Sequence, residues 1–371
     1  MIPKSENQYI EFKREEVSAS TLAEEIVSFS NGEGGEIWLG VGDDGETTGI
    51  SRSYEEDLMN ICRTSVIPSL IPGYQEITDE SGKTVAKIII PKGVDRPYYT
   101  NKNRYFIRVG STKRIASREE LMRLFQSSGL FHYELVDVSG AQLQHLNQAS
   151  ITEYFSRYNI DYLVENEQER NRLLWASDII SDNHIPTVGG LLVFGVAPER
   201  QLPQSGILLA TYHGDEISSE LRDRKHFRGG LPSQVDNALS AIKANLLNPS
   251  YIEGSQRIET GFPDKVFREL LVNAAVHRNY SIIGSEIRVF IFNNRIEFIS
   301  PGRLPNTVVI EKLTTGVSFS RNPLLLKLME NLNYMDRLGR GLPMVYQEAK
   351  KSGKELQFQD EGEEFRVVLE L

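Results

Sequence analysis

Cysteine is almost missing from this chain: Cys62 is the only one in 371 residues. An internal disulfide is thereby excluded, and so is a zinc site built from cysteine. Histidine is scarce too, six in all and scattered, and no pair stands with a carboxylate at metal-ligand spacing, which argues against a histidine zinc site. No apolar run approaches the ~18 residues that a membrane span needs. The opening stretch, MIPKSENQYIEFKREE, is charged and has no apolar centre of the kind a secretory signal carries. A cytoplasmic protein without membrane contact is expected. The Gly34-Gly35 pair is not followed by the Lys-Ser/Thr of a Walker loop, so it permits a tight turn rather than a phosphate cradle.

What is present is ordinary globular material, 40% hydrophobic and 25% charged. The length exceeds one compact core, so two or three domains are expected. Net charge is −10, which opposes a surface that grips nucleic acid everywhere. The average hides an asymmetry. Between Arg96 and Arg118 stand seven cations (Arg96, Lys102, Arg104, Arg108, Lys113, Arg114 and Arg118) and no acid, interleaved with Tyr98, Tyr99, Tyr105 and Phe106.

Three segments are read, 1–128, 129–260 and 261–371, with a mixture of α/β and α+β character. In the first, "YIEFK" alternates as a half-buried strand does. Thr21 and Glu24 form a capping box ahead of the helical stripe Leu22, Ile26 and Phe29. Asn31-Gly32 ends that helix, "EIWLGVG" is a strand, and Asp43-Asp44-Gly45 is a hairpin turn. "AKIII" and "RYFIRVG" are strands, and "SREELMRLFQSS" is a helix capped by Ser117. The second segment carries helices at "ASITEYFSRYN" and "VDNALSAIKANLL" and buried strands at "VGGLLVFGV" and "GILLATYHG". Its "HFRGGLPSQVDNAL", with Arg228, Gly229 and Gly230, reads as packing or a contact between subunits of a homo-oligomer. A polar linker, "NPSYIEGSQRIETGFP", leads to the third segment.

That third segment opens with "RELLVNAAVHRNYS", read as a helix. Glu269, Asn273 and His277 recur every fourth residue along it and share one side. The hairpin "SEIRVFIFNNRIEFISPGRLP" follows, turning at Asn293-Asn294. After the loop "TTGVSFSRNP" come the helix "PLLLKLMENLN", a glycine loop "RLGRGLP" opening another helix, and the strand "FRVVLEL". Glycines at Gly302, Gly339 and Gly341 let backbone N–H groups approach a phosphate. An amide oxygen can coordinate a hard cation, and a carboxylate can orient a water. The alternative is that Glu269, Asn273 and His277 form a hydrogen-bonded network that only fixes the fold.

On these motifs the last hundred residues resemble the GHKL ATPase superfamily, of Bergerat-type fold. "ELLVNAAVH" is similar to its N-box, "SPGRLP" to its first glycine box and "LGRGLPMV" to its second. More closely, they resemble the ATPase-like domain of RecG-related proteins and transcriptional regulators. The resemblance implies ATP and Mg²⁺ (or Mn²⁺) as cofactors. It also implies Glu269 as general base, Asn273 as metal ligand, His277 beside the phosphates, and Gly302, Gly339, Arg340 and Gly341 as phosphate-binding backbone. Two positions depart. Ser300 stands where the superfamily has the aspartate that reads adenine, which weakens adenine selectivity. Val276 replaces a frequent lysine, although Arg278 is adjacent.

The first segment carries a second set of motifs: Glu-x4-Glu-Phe-Lys, Ser-Phe-x-Asn-x2-Gly-Gly and Gly-Val-x-Asp-Asp-Gly. On these it resembles the Schlafen/Alba-type DNA-binding domain, once called divergent AAA, whose members bind nucleic acid and some of which cleave RNA, tRNA in particular. The resemblance implies Glu6, Glu11 and Asp43 as an acidic, metal-binding catalytic set. Three carboxylates can hold divalent ions that generate hydroxide at a phosphodiester. Lys13 shares the strand face of Glu11. With Lys102, Arg104, Arg108, Lys113 and Arg114 it would contact DNA or RNA phosphates. The bland alternatives are an ordinary hairpin turn at 43–45 and a solvated basic face. The leading expectation is a nucleotide-responsive nucleic-acid-binding protein in regulation or phage defence. A metal-dependent RNA endonuclease comes second, and an oligomeric interaction protein with degenerate sites third. The middle segment resembles the connector usual between two such domains.

Overall fold

The computed structural model of the chain describes every residue other than 1, 80, 247–249, 254–255, 260, 305–307, 317–319 and 336–337. Parts of the expected linker before residue 262 and of the "TTGVSFSRNP" loop, and Pro305 and Arg337 of the glycine motifs, thus lie outside the described residues. The chain divides into two compact units, Met1–Phe131 and His132–Leu371, where the sequence suggests three parts.

The first unit runs β1 (Ile10–Lys13), α1 (Ala19–Asn31), β2 (Gly35–Leu39), α2 (Glu55–Thr64), β3 (Val66–Ile67), β4 (Gly73–Thr78), β5 (Thr84–Ile90), β6 (Tyr99–Thr100), β7 (Phe106–Val109), β8 (Thr112–Ile115) and α3 (Arg118–Ser127). Its main sheet has the order β1-β2-β5-β4, with β1 parallel to β2 and the other pairs antiparallel. Helix α1 buries Leu22, Ile26 and Phe29 against Ile37, Ile88 and Ile90, each such side chain contributing ~1.5–3 kcal/mol by leaving water. Its cap is Ser18, whose Oγ accepts from Thr21 N–H at 3.1 Å. The expected Thr21–Glu24 box is therefore displaced by three residues. Gly34 turns at φ +79, and a side chain at Gly35 would strike the Phe29 ring and Tyr9 carbonyl, so the pair serves a tight turn. Asn31 explains its place in the motif. Its side chain accepts from Tyr98 N–H at 2.7 Å and donates to Tyr98 O at 2.8 Å and Phe106 O at 2.9 Å, pinning two distant strands to the end of α1.

The second unit contains α4 (Gln148–Ser156), α5 (Glu167–Ala176), α6 (Val188–Phe194), β9 (Ile207–His213), β10 (Glu220–Phe227), α7 (Leu231–Asn245), a small hairpin of β11 (Ser250–Glu253) and β12 (Gln256–Glu259), α8 (Asp264–Val276), β13 (Ile287–Ile291), β14 (Arg295–Pro301), α9 (Pro323–Asn331), α10 (Gly341–Lys351), β15 (Leu356–Glu361) and β16 (Glu364–Glu370). Six strands form one sheet in the order β10-β9-β13-β14-β16-β15. Strand β9, from the expected connector, pairs parallel with β13 of the expected third domain. One core then joins Ile207 and Leu209 to Val289, Phe298, Leu369 and the apolar sides of α6, α7, α8 and α9. A boundary near residue 260 thus falls between elements that share a ladder and a core.

"VGGLLVFGV" is the helix α6 rather than a strand. Every residue from Val188 to Phe194 is buried, and a helix buried on all sides shows no apolar period to read. Thr187 caps it by accepting from Gly190 N–H at 2.9 Å. A side chain at Gly190 would collide with the Ile179 backbone, which explains the glycine in an otherwise apolar run. Among the described residues no helix is long and apolar enough to cross a membrane.

Candidate functional site

In the second unit, helix α8 packs on β14, and the space beside them is a pocket. Its wall includes Asn273, Ala274, His277, Ser300, Gly302 and Leu342. The helix ends at Val276, so "HRNYS" is not helical as expected. His277 is its C-cap, with its N–H on Asn273 O. Asn273 and His277 still meet at the pocket because the C-cap continues the helical path for one residue.

The Asn273 side chain donates through Nδ2 to Glu269 Oε1 at 2.6 Å and to Glu269 O at 2.8 Å. With its nitrogen committed, Oδ1 is the atom left to the pocket. Glu269 itself lies outside the lining and rests against Gly341, at the N-terminal end of α10. Arg340 is the N-cap residue of that helix. Gly339 turns at φ +65 and Gly302 at φ +111, conformations that an L side chain resists.

Ser300 donates its hydroxyl to Ala274 O at 2.8 Å and is buried in the pocket wall. The proton is spent on the helix, but the oxygen keeps lone pairs that can accept from an exocyclic amine. Burial, with the charge of Arg321 beside it, lowers the His277 pKa to about 4, so the imidazole is neutral at pH 7. Arg278 does not replace the missing lysine at 276. It is fully buried and donates to Asn279 O and Ile282 O, each at 2.8 Å, and to Ser285 O at 2.5 Å, holding the loop after α8. Burial lowers its pKa to about 10, and it stays charged.

Two pocket-side residues escaped the sequence reading. Arg321, from the "SRNP" stretch, is 7% exposed and packs against Gly302. Asn322 donates to Val276 O at 2.7 Å and Arg278 O at 2.8 Å, tying the end of α8 to the start of α9. The "SRNP" spelling was visible, but the contacts of Asn322 lie more than 40 residues away in sequence and the Arg303 carbonyl that Arg321 meets lies 18 away.

In the first unit the acidic set is only partly brought together. Glu6 accepts from Phe12 N–H at 2.9 Å. Burial first, and then the charges of Glu11 and Asp43, raise its pKa, so both acids lie near enough to be felt. Glu11 is 5% exposed and faces cations on both oxygens: Lys13 on one and Arg108, at 2.5 Å, on the other. Among the described residues no three acids, histidines or cysteines sit at metal-ligand spacing. Glu11 is neutralised by its two cations, which would have to part from it before a divalent ion could be held by this set.

The expected nucleic-acid cations also divide. Arg108, 9% exposed, donates to Asn7 O, Ile10 O, Ser111 O and Glu11, so it is a buried structural cation and not a surface contact. Glu25, buried on α1 and unremarked in the sequence, takes Lys113 at 2.9 Å and approaches Lys13 at 3.6 Å and Arg108 at 3.5 Å. Burial works against the Lys13 charge, but the Glu11 carboxylate outweighs it and raises the pKa. Lys102 and Arg104 are exposed, and Arg114 is exposed but paired with Glu120 at 2.6 Å. The rings of Tyr99 and Tyr105 pack on each other, their centroids 5.1 Å apart. Cys62 is buried and its thiol pKa is pushed up to about 12, so it offers no thiolate.

Comparison with known proteins gives a family match in each unit. Residues 6–117 match the Schlafen AlbA_2 family, and residues 284–369 match the family described as "Putative ATP-dependent DNA helicase recG C-terminal". The first match spans Glu6, Glu11 and Asp43; the second spans Ser300, Gly302 and Gly339–Gly341 but begins after α8. Among solved structures, the DIP2311 protein from Corynebacterium diphtheriae is 19% identical, with a TM-score of 0.51, covering 98% of this chain and 75% of that one. That likeness is one of fold alone. The N-terminal domain of a "Putative ATP-dependent DNA Helicase RecG-related Protein" from Nitrosomonas europaea is 25% identical over 29% of this chain and 81% of that one, with a TM-score of 0.23. No curated protein matches the chain.

Proposed function

We propose that this is a nucleotide-responsive nucleic-acid-binding protein. The second unit would hold ATP with a divalent cation, and the first would contact nucleic acid. The observation that carries the reading is the Asn273–Glu269 pair: its 2.6 Å hydrogen bond commits the amide nitrogen of a pocket-lining residue and leaves Oδ1 as the atom that would ligate a hard cation. The rest of the wall suits the same ligand. Ser300 keeps acceptor lone pairs for an adenine amine, and neutral His277 can donate or accept without repelling a cation; Gly302, expected to offer its N–H to phosphate, instead donates it to Glu363 O at 2.7 Å and contributes only a wall without a side chain. Bound Mg²⁺ would neutralise charge on the nucleotide phosphates. ATP or ADP with Mg²⁺ should raise the melting temperature, since ligand that binds only the folded state stabilises it. Asn273→Ala should remove most of that rise. No shift and no calorimetric heat at millimolar nucleotide would make the network purely structural.

The second reading, a metal-dependent endoribonuclease, is favoured by the charges of Glu11 and Asp43 felt at Glu6. It is opposed by the two cations that hold Glu11. If the reading holds, tRNA is cut with Mg²⁺ or Mn²⁺, and Glu11→Ala ends cleavage while leaving binding. Intact tRNA in both metals would remove it.

A further inference from the structure

Arg321 is the unexplained group of the second unit. It is 7% exposed, so it belongs to the interior, yet among the described residues its Nη1 has no hydrogen-bond partner. Nη2 is used, donating to the Arg303 carbonyl. A buried donor without a partner is costly, and on a charged group more so. Burial lowers the Arg321 pKa to about 10, with Asp360 and Glu363 opposing that, so the side chain remains a cation at neutral pH.

Its location gives the charge a purpose. Nη1 lies against the Cα of Gly302, and any side chain there would overlap it. Gly302 and Arg303, the residues that cover it, line the pocket, and so does His277, which feels its charge. The acid nearest to offering a counter-charge is otherwise engaged: Asp360 accepts from Leu304 N–H at 3.1 Å and lies 3.7 Å from Arg303. A cation one residue layer behind a pocket wall, in a low-dielectric setting, projects its field into the pocket.

We infer that Arg321 is the positioning residue that makes this pocket select an anionic ligand, a nucleoside polyphosphate, over the uncharged nucleoside. The inference rests on the nucleotide reading above and names the part of the ligand that is sensed. The phosphates supply a further negative partner for the guanidinium, whose field reaches them across Gly302, where no side chain intervenes.

The test is calorimetric titration of the full chain with ATP and, separately, with adenosine. Wild type should bind ATP more tightly than adenosine. Arg321→Met should weaken ATP by at least about tenfold, as the loss of a full charge close behind the wall would, and leave adenosine unchanged. Arg321→Lys should recover most of the preference. Asp360→Asn, which keeps the acceptor for Leu304 but removes the nearby negative charge, should move the ratio the other way and raise the ATP preference. The inference is overturned if Arg321→Met weakens both ligands equally, as a merely structural residue would, or leaves ATP unchanged. Should Arg321→Met fail to fold, a fall or no change in the ratio for Asp360→Asn overturns it. If wild type binds ATP and adenosine alike, Arg321 has no such role although the pocket stands. If it binds neither, the nucleotide reading falls as well.

Discussion

The Glu269 carboxylate lies against the Cα of Gly341, so that a methyl group on the glycine would overlap its Oε1. One contact thus ties the N-box helix to the glycine loop at the start of α10. Gly341→Ala should push the flexible end of Glu269 aside and break its 2.6 Å bond with Asn273. Because the displaced group can swing, the apo melting temperature should move little, by the equivalent of about 1 kcal/mol. The stabilisation conferred by ATP with Mg²⁺ should nonetheless largely vanish. Undiminished stabilisation would show that Glu269 and Gly341 can part without consequence.

Asn31 should matter for folding rather than for contact with nucleic acid. It serves one N–H and two carbonyls of buried backbone at Tyr98 and Phe106. Asn31→Ala leaves these unpaired at roughly 1–3 kcal/mol each. The first unit should melt earlier in calorimetry, and a stability within about 0.5 kcal/mol of wild type would contradict the assignment.

The surface cations should separate from the buried ones. Reversing Lys102 and Arg104 to glutamate should weaken binding to all nucleic-acid sequences alike. It should also flatten the dependence of log affinity on log salt, by about 0.9 for each duplex-DNA phosphate that the chain no longer neutralises. Arg108→Gln should act otherwise, lowering stability by leaving Glu11 with one cation fewer. If Lys102 and Arg104 can be reversed without weakening the complex at low salt, the nucleic-acid surface is elsewhere.

Glu134 offers a pH test within the second unit. It is 1% exposed, and burial raises its pKa against the weaker pull of His132 at 3.7 Å and the Leu324 N–H at 3.4 Å. A carboxyl raised in the folded state holds its proton where the unfolded chain has lost it. Its contribution to stability is therefore intact below the unfolded pKa, about 4.3, and is lost as pH rises through the folded value. Glu134→Gln should cancel that loss, so its stability relative to wild type should improve from pH 4 upward. A difference independent of pH would refute the burial argument.

What the sequence displayed and what it hid follow from distance along the chain. Helix α1 was legible from the stripe Leu22, Ile26 and Phe29, and the β13–β14 hairpin from Asn293-Asn294 between two apolar runs, although both strands are buried along almost their whole length. Helix α6 was not, since it is apolar all round. Strand β10, "ELRDRKHF", was missed because it forms a sheet edge and is mostly exposed, so its charges read as loop. The pocket residues Asn273, His277, Ser300 and Gly302 were found from local spelling. The pairing of Glu25 with Arg108 and Lys113, and the packing of Arg321 on Gly302, depend on tertiary approach and leave no local mark. That is also why Arg108 read as a surface cation.

Nucleotide in the second unit should alter the grip of the chain on nucleic acid. Affinity for a labelled nucleic acid should be determined at fixed salt, with and without saturating ATP and Mg²⁺, for wild type and for Asn273→Ala. Affinity should change by about fivefold or more in wild type, the lower end of ordinary coupling between two sites, and not at all in Asn273→Ala. Equal affinities in wild type, at a nucleotide concentration shown by calorimetry to fill the pocket, would contradict it.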